Sequence, residues 1–238
     1  MSLFAISDLH LATGNPGKSM EVFGKRWTDY MIKIRKKWTH LIDDDDTVII
    51  PGDISWALTL EEALSDLEFI ERLPGKKILM KGNHDFWWST ATKMKVFFEK
   101  NGIKTIELLH NNAIFADKYI VCGTRGWFSE DADEKSEVDN EKILRRENLR
   151  LNLSLDAAAD LANKADFKRE IVAFFHFPPA WNDFSNTEAI AALAERGIKR
   201  VYFGHIHNYY GPVLQNRIRN LELKLISADY LDFVPLIV

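Results

Sequence analysis

Short apolar runs alternate with helical segments along the whole chain. Each run is rich in β-branched and aromatic side chains and is bounded by Gly, Pro or Asp, a pattern typical of β-strands. The predicted strands are Leu3–Ile6, Thr47–Ile50, Lys77–Met80, Tyr119–Cys122, Ile171–Phe175 and Arg200–Phe203. Strand–helix alternation of this kind predicts a layered α/β fold.

The segments between these strands carry apolar residues at helical spacing. The predicted helices are Lys18–Leu41, Leu60–Leu73, Thr90–Asn101, Asn140–Ala165 and Thr187–Arg196. Thr59 with Glu62 three residues later fits the start of the second helix. Residues 105–127 and the tail, Pro212–Val238, are again rich in strand-forming residues. We therefore expect two packed sheets with helices outside them, in a single domain over residues 1–238.

Composition excludes several classes of protein. The chain has 238 residues, of which 46% are hydrophobic and 28% charged, which excludes collagen-like and disordered chains. The net charge of −4 shows no overall basic surplus, so nucleic acid is not indicated as a partner. No apolar run approaches the ~20 residues that span a bilayer. The lone Cys122 forms no internal disulfide and Met1 begins no signal-peptide pattern, so we expect a cytoplasmic protein.

Five of the predicted strands end within one to three residues of side chains that bind metal ions. The segments that follow these strands are Asp8-Leu9-His10, Gly52-Asp53, Gly82-Asn83-His84-Asp85, His176 and Gly204-His205-Ile206-His207. In open α/β sheets, functional loops gather at the carboxyl ends of the strands. If these strands are parallel neighbours, their polar side chains converge on one edge, and the glycines allow the backbones to approach closely.

The histidines support a metal site at that edge. Five of the seven histidines lie in these segments, whereas His40 and His110 lie outside them and are assigned structural roles. Oxygen and imidazole donors without a thiolate suit Mn²⁺, Fe or Zn²⁺ better than a structural zinc site. His205 and His207 would point to the same side of an extended segment. They could bind one metal ion or two adjacent ones.

Together the five segments resemble the motifs of the calcineurin-like metallophosphoesterases. They match the D-x-H, G-D, G-N-H-D/E, H and G-H-x-H motifs of that family in order and rough spacing, all intact, between residues 8 and 207. One such motif alone arises by chance, whereas five in order are highly specific. The resemblance implies a four-layer α/β/β/α sandwich with a metal site at the carboxyl ends of the strands.

The resemblance also implies two divalent metal ions. One ion would be held by the residues Asp8, His10, Asp53 and His207. The second would be held by Asp53, Asn83, His176 and His205. Asp53 would therefore bridge the two ions. Two cations about 3.5–4 Å apart clamp the attacking and leaving oxygens of an in-line displacement and make a bridging hydroxide nucleophilic at neutral pH.

The implied function is hydrolysis of a small phosphoester by in-line attack of that metal-bridging hydroxide. His84 would not be a ligand but would face the phosphate and protonate the leaving group, with Asp85 orienting its ring. The lack of an obvious cap insertion favours a diester over a monoester. Arg125 could hold a phosphate through two hydrogen bonds or pair with an acidic residue. Trp56 and Trp88 either fill the core or stack against a substrate ring.

Two other functions fit part of the pattern. A non-catalytic binding or scaffold protein could share the fold, although none of the ligand positions is replaced here. A mononuclear metal hydrolase could use only His176, His205 and His207, but it would leave Asp8 and Asp53 without a role. The motifs do not identify the substrate or the oligomeric state, because loops outside them determine both.

Overall fold

The strand–helix alternation of the sequence is present in the structure. A computed structural model describes residues 1–128, 137–211 and 216–238 of the chain. Within these ranges the fold is mixed α/β, with two large sheets and five α-helices, and the predicted fold class is confirmed. The predicted β-rich tail began at Pro212, and residues 212–215 lie outside the described residues. The single domain over residues 1–238 stays a prediction.

The strands and helices are numbered in chain order. The strands are β1 (Leu3–Ala5), β2 (Thr47–Pro51), β3 (Lys76–Met80), β4 (Ile106–Leu108), β5 (Ile114–Ala116), β6 (Tyr119–Thr124), β7 (Glu170–Phe175), β8 (Ala180–Trp181), β9 (Phe184–Ser185), β10 (Arg200–Phe203), β11 (Asn216–Ile218), β12 (Leu221–Leu225) and β13 (Leu236–Ile237). The helices are α1 (Tyr30–Leu41), α2 (Leu64–Glu71), α3 (Ala91–Lys100), α4 (Glu137–Lys164) and α5 (Thr187–Glu195). None of the helices in the described ranges is long and apolar enough to cross a bilayer.

Both large sheets are parallel at their centres. The first has the order β13-β1-β2-β3-β4, and the second has the order β11-β12-β10-β7-β6-β5. Antiparallel pairing occurs at the edges, where β13, β11 and β5 lie. In the first sheet Ala5 pairs with Ile49, and Ile49 pairs with Ile78. The carboxyl ends of β1, β2 and β3 therefore lie side by side.

Three buried apolar clusters hold the sheets and helices together. The two sheets face each other through a cluster that includes Ile49 of the first sheet and Phe174 of the second. A second cluster joins the first sheet to α1, α2 and α3, with Trp38 fully buried in it. The third joins the second sheet to α4 and α5 through Leu151 and Leu193. This packing supports the four-layer order, although the layer count stays a prediction.

The first half of the predicted helix Lys18–Leu41 is wrong. The α-helix begins only at Tyr30, and two short 3₁₀ turns lie between residues 20 and 27. Gly24 has a φ of +119° and Asp29 a φ of +54°, values that an α-helix does not contain. The apolar spacing in this stretch therefore marks burial against the sheet rather than a continuous helix.

Most of the other predicted helix ends are close to those observed. Helix α2 begins at Leu64 rather than at residue 60. The Glu62 amide does donate to the Thr59 hydroxyl, at 3.2 Å, but this bond lies in a turn that precedes the helix. Thr90 caps α3 as predicted, since its hydroxyl accepts from the Lys93 amide at 3.3 Å. The remaining helices and all six predicted strands end within three residues of the predicted positions.

Lys77 on β3 is a fully buried lysine. Its Nζ donates to the carbonyl oxygens of Leu73 at 2.5 Å and Gly75 at 2.8 Å, and to the Thr105 hydroxyl at 2.9 Å. These carbonyls follow the end of α2, where backbone acceptors lack helical partners. Burial lowers the pKa of Lys77 to about 8, so the group is still charged at pH 7 and stabilises the end of the helix.

Replacing Lys77 by methionine tests this role. We expect Lys77→Met to lower the free energy of unfolding by about 2 kcal/mol at pH 7, because buried acceptors lose their donor. Urea denaturation measures the change. The exposed neighbour Lys76 provides the control, since Lys76→Met should change stability by less than about 0.5 kcal/mol. Equal losses in the two variants would contradict the assignment.

The same pair of proteins tests the pKa of Lys77. Because the folded pKa of about 8 lies below the unfolded value of ~10.4, the unfolded chain binds more protons between these values. The stability advantage of the wild type over Lys77→Met should therefore increase as pH rises from about 8 to ~10.4. A difference that is constant over this range would contradict the lowered pKa.

Candidate metal centre

The carboxyl ends of the two sheets bring the predicted ligands together in two groups. One group is Asp8, His10 and His207, and the other is Asp53, His176 and His205. Within each group, one donor atom from each residue lies within 4.8 Å of the others. Asn83 joins the second group, because its Oδ1 lies 2.6 Å from His176 Nε2 and 3.2 Å from His205 Nδ1. All seven side chains therefore meet at one place, and their roles as ligands stay predictions.

Asp53 lies between the two groups. Its Oδ2 is 3.7 Å from His10 Nε2 and 3.5 Å from His176 Nε2. Its Oδ1 accepts a hydrogen bond from the His84 amide at 2.8 Å, which fixes the carboxylate in place. A single oxygen that faces both groups suits a carboxylate that bridges two ions.

Hydrogen bonds to the far side of two histidines direct their lone pairs into the site. His176 Nδ1 lies 3.2 Å from the Pro51 carbonyl oxygen, so Nδ1 carries the proton and Nε2 faces the site. His207 Nδ1 lies 2.9 Å from Asp229 Oδ1, so its Nε2 faces His10 Nε2 at 3.1 Å. Metal-binding histidines commonly donate their other N–H to a carbonyl or carboxylate in this way.

Sequence reasoning did not single out Asp229. This carboxylate is fully buried and contacts both the His207 ring and the Asn208 amide, the latter at 2.9 Å. It lies four residues after the end of β12, one residue farther than the range within which the other site segments begin. A carboxylate soon after a strand could therefore have been found from the sequence. The tail was predicted only as rich in strands, however, and the end of each strand was not assigned.

Burial shifts the pKa values of the two central carboxylates upward. Burial raises the pKa of Asp8 to about 6, although the positive charge of His207 opposes the rise. The pKa of Asp53 lies well above its usual range because of burial, followed by the negative charges of Asp8 and Asp85. Two buried carboxylates that repel each other need positive charge nearby, which divalent cations provide.

The imidazoles in the site are shifted in the opposite direction. Burial and neighbouring histidines hold the pKa of His10 and of His176 well below the usual range and lower that of His205 to about 3. These rings are therefore neutral and can donate electron pairs. For His207, burial is outweighed by the hydrogen bond to Asp229 and the charge of Asp8, and its pKa rises. His10 Nδ1 is buried without a hydrogen-bond partner. The donor set thus fits cations of the Mn²⁺, Fe or Zn²⁺ type.

Several of these residues have a left-handed backbone conformation. The φ values are +59° at Asp8, +45° at His10, +51° at Asp53 and +69° at His205. For residues with a Cβ this conformation costs of order 1–3 kcal/mol each, and it is concentrated at functional sites. Four of the twelve non-glycine residues with positive φ in the described ranges are thus candidate ligands.

Glycines before the ligands allow the loops to approach closely, as predicted. A Cβ added to Gly52 would lie 2.6 Å from His176 Nδ1 and 2.7 Å from the Gly82 Cα. A Cβ added to Gly204 would overlap Asp8. The predicted reason for glycine at both positions is confirmed.

His84 lies beside the site and Asp85 lies beneath it. The His84 ring is half-buried, with its centroid 5.7 Å from that of His10 and 4.6 Å from that of Trp56. Burial, His207 and Lys18 lower its pKa. Asp85 was predicted to orient this ring, but none of its hydrogen bonds among the described residues reaches it. Its fully buried carboxylate instead accepts from the amides of Asp53, Ile54, Ser55 and Gly82 and from Trp87 Nε1, at 2.8 to 3.2 Å.

The three predicted substrate contacts lie in two places. Trp56 stacks on the ring of His10, with centroids 4.8 Å apart. Trp88 and Arg125 line a separate cavity. Arg125 Nη2 lies 3.3 Å from Oε1 of the buried Glu147, so Arg125 pairs with an acidic residue, one of the two alternatives.

Comparisons with known proteins agree with the fold. The family model described as calcineurin-like phosphoesterase matches residues 1–209. No curated protein matches the chain. Among solved structures, a phosphopantetheinyl hydrolase from Mycobacterium tuberculosis is similar, with a TM-score of 0.53 at 15% identity, covering 100% of this chain and 95% of that one.

Two further structures are similar at lower identity. The GAP50 anchor of the inner membrane complex of Plasmodium has a TM-score of 0.54 at 10% identity, covering 96% of this chain and 72% of that one. TT1561 of Thermus thermophilus has a TM-score of 0.53 at 11% identity, covering 96% and 89%. At these identities the similarity shows the fold alone.

The position of Asp229 leads to a test by metal binding. We expect Asp229→Asn to weaken Mn²⁺ binding by about 10–100-fold, because the His207 ring loses the carboxylate that orients it. Calorimetric titration of the metal-free protein measures the affinity. Asp232, an exposed carboxylate paired with Lys37, provides the control, and Asp232→Asn should bind Mn²⁺ like the wild type. An unchanged affinity in Asp229→Asn would contradict the assignment.

Proposed function

Because the chain belongs to the calcineurin-like phosphoesterase family, we propose that it hydrolyses a small phosphoester with two divalent cations bound at the carboxyl ends of its strands. The family usually binds two divalent metals, and two groups of Asp and His side chains are available to hold them. The observation that carries the proposal is the position of Asp53, whose Oδ2 faces a histidine of each group, at 3.7 and 3.5 Å.

The proposed ligands follow from the two groups. The first cation would be held by Asp8, His10, Asp53 and His207. The second would be held by Asp53, Asn83, His176 and His205. Bound cations would supply a water nucleophile of lowered pKa and balance charge on the phosphate oxygens. The nitrogen and oxygen donors favour Mn²⁺, Fe or Zn²⁺.

His84 is the proposed proton donor. Its ring lies beside His10 and Trp56, at the edge of the ligand groups, and it is half-buried rather than enclosed. The bond from its amide to Asp53 Oδ1, at 2.8 Å, ties its backbone to the proposed bridging ligand. From this position a ring N–H can bond a phosphate oxygen and transfer a proton to the leaving oxygen.

Asp85 is proposed as a positioning residue rather than a partner of the His84 ring. Its carboxylate binds the amides of Asp53 and Gly82, which belong to the loops after β2 and β3. It therefore fixes these two loops, which carry Asp53 and Asn83, relative to each other. Its influence on His84 passes through the backbone.

A non-catalytic function is the main alternative. One structural neighbour is named an anchor, and the fold alone does not separate that function from catalysis. The present chain keeps a complete set of seven candidate ligands converging at one place, which favours catalysis. A mononuclear site of His176, His205 and His207 would draw on both groups and leave Asp8, Asp53 and Asn83 without a role.

Variants of Asp53 and His84 test the proposed reaction. With Mn²⁺, we expect Asp53→Asn and His84→Ala each to lower kcat on bis-p-nitrophenyl phosphate by at least ~10²-fold. Metal analysis separates the two roles, because His84→Ala should keep about two equivalents of metal and Asp53→Asn should lose metal. His40, an exposed histidine outside the site, provides the control, and His40→Ala should keep full activity. No turnover by the metal-loaded wild type on any phosphoester of a broad panel would refute the proposal.

The type of ester is tested with matched chromogenic substrates. We propose a diester, so kcat/KM on bis-p-nitrophenyl phosphate should exceed that on p-nitrophenyl phosphate. The physical reason is that residues 1–128, 137–211 and 216–238 form no cap insertion that would close over a terminal phosphate. A higher kcat/KM on the monoester would contradict this part of the proposal.

A further inference from the structure

A cavity of about 490 Å³ lies next to the candidate metal centre. It is formed where β3, β4 and β6 end, and none of the seven candidate ligands lines it. Its charged lining residues are Lys81, Arg125, Arg146, Glu147 and Arg150, and His110 lies beside them. Trp88 and Leu109 contribute apolar wall.

The charges around this cavity do not balance. Four cationic side chains face a single carboxylate, that of Glu147. Glu147 is almost fully buried and already accepts from Thr124 Oγ1 at 2.9 Å, Arg125 Nη2 at 3.3 Å and Arg150 Nη1 at 2.7 Å. Within the described ranges, neither Lys81 nor Arg146 forms an ion pair. Among the described residues, the cationic side chains that line the cavity therefore outnumber the carboxylates that line it.

Three further observations show that the cavity suits a negatively charged group. Arg125 Nε is buried without a hydrogen-bond partner. Burial and the charges of neighbouring cations, among them Arg150, lower the pKa of Arg125 and that of His110, against the charge of Glu147. The start of α3, at Thr90, also lines the cavity and adds the partial positive charge of a helix N-terminus.

The cavity and the metal centre share one edge of the fold. Lys81 lies two residues before Asn83, a separation of at most about 7 Å along an extended chain. On the opposite sheet, Thr124 of β6 pairs with Phe175 of β7, the residue before His176. A small molecule with one group at the metal centre can therefore place a second group in the cavity.

We propose that this cavity binds a second phosphate group of the substrate, so that the enzyme acts on phosphoesters that carry another phosphate. The inference rests on the phosphoesterase function proposed above. Arginine and lysine side chains form charge-assisted hydrogen bonds with phosphate, and arginine does so through two N–H groups at once. Trp88 would lie against the part of the substrate that joins the two phosphates.

Pairs of substrates that differ by one phosphate test this proposal. We expect kcat/KM to be at least ~10-fold higher for the 5′-p-nitrophenyl ester of thymidine 3′,5′-bisphosphate than for the 5′-p-nitrophenyl ester of thymidine 5′-monophosphate, through a lower KM. Both are diesters at the bond that is cleaved and differ only by the 3′-phosphate. p-Nitrophenyl 3-phosphopropyl phosphate against p-nitrophenyl propyl phosphate provides a diester pair without a base. The inference would be overturned if the wild type hydrolyses chromogenic esters but the two kcat/KM values within each pair are nearly equal. That outcome would leave the proposed function intact.

Variants of the cavity identify its residues. Arg146→Gln and Lys81→Gln should each lower the bisphosphate-to-monophosphate ratio of kcat/KM by about fivefold or more. Arg145 is exposed on the same helix and does not line the cavity, so Arg145→Gln should keep the wild-type ratio. An equal fall in Arg145→Gln and Arg146→Gln would show a general charge effect and overturn the assignment.

A binding measurement separates the cavity from catalysis. Inorganic pyrophosphate is titrated into the metal-free protein, whose two ligand groups then hold no cation. The dissociation constant should rise at least about fivefold in Arg146→Gln and stay unchanged in Arg145→Gln. Absence of binding to the wild type would overturn the anion site. Failure of the proposed function would instead appear as absence of ester hydrolysis by the metal-loaded protein, whatever the outcome of this titration.

Discussion

Repulsion between the buried carboxylates of Asp8 and Asp53 is the interaction on which the rest of the site depends. Both are almost fully buried, and the charge of Asp8 contributes to the raised pKa of Asp53. The protein does not separate them, and instead surrounds them with imidazoles, of which His10, His176 and His205 are neutral and can donate electron pairs. The hydrogen bonds from His176 to Pro51 and from His207 to Asp229 keep those rings turned toward the carboxylates. The folded site is stable when positive charge lies between the carboxylates, and its free energy is higher when that charge is absent.

The features of this site that depend on the local order of residues along the chain could be predicted from the sequence. Each strand is a short apolar run, and each candidate ligand follows such a run within a few residues, so position along the chain predicts position at the sheet edge. The need for glycine at positions 52 and 204 could also be predicted from the sequence, because only the smallest residue fits where the loops touch. The interruption of the predicted helix at Gly24 could not be predicted, because 3₁₀ turns that are buried against a sheet have the same apolar spacing as a helix.

The parts that could not be predicted depend on contacts between distant segments. The partner of Arg125 is Glu147, on a helix whose packing against β6 is invisible in local sequence patterns. Asp85 follows His84 directly and therefore suggested a contact with its ring, yet its carboxylate turns to the loop of Asp53. The motifs describe the reaction, whereas the lining of the neighbouring cavity, which determines what else a substrate must carry, comes from residues outside them.

The left-handed conformations at four candidate ligands have a consequence for the life of the protein. Each raises the free energy of the folded chain, and binding of the proposed cations would offset that cost only while the ions are present. A chain synthesised when such ions are scarce would therefore open more often around these loops. Proteases degrade opened chains preferentially, so under the proposed metal binding the abundance of the protein should follow the supply of these ions.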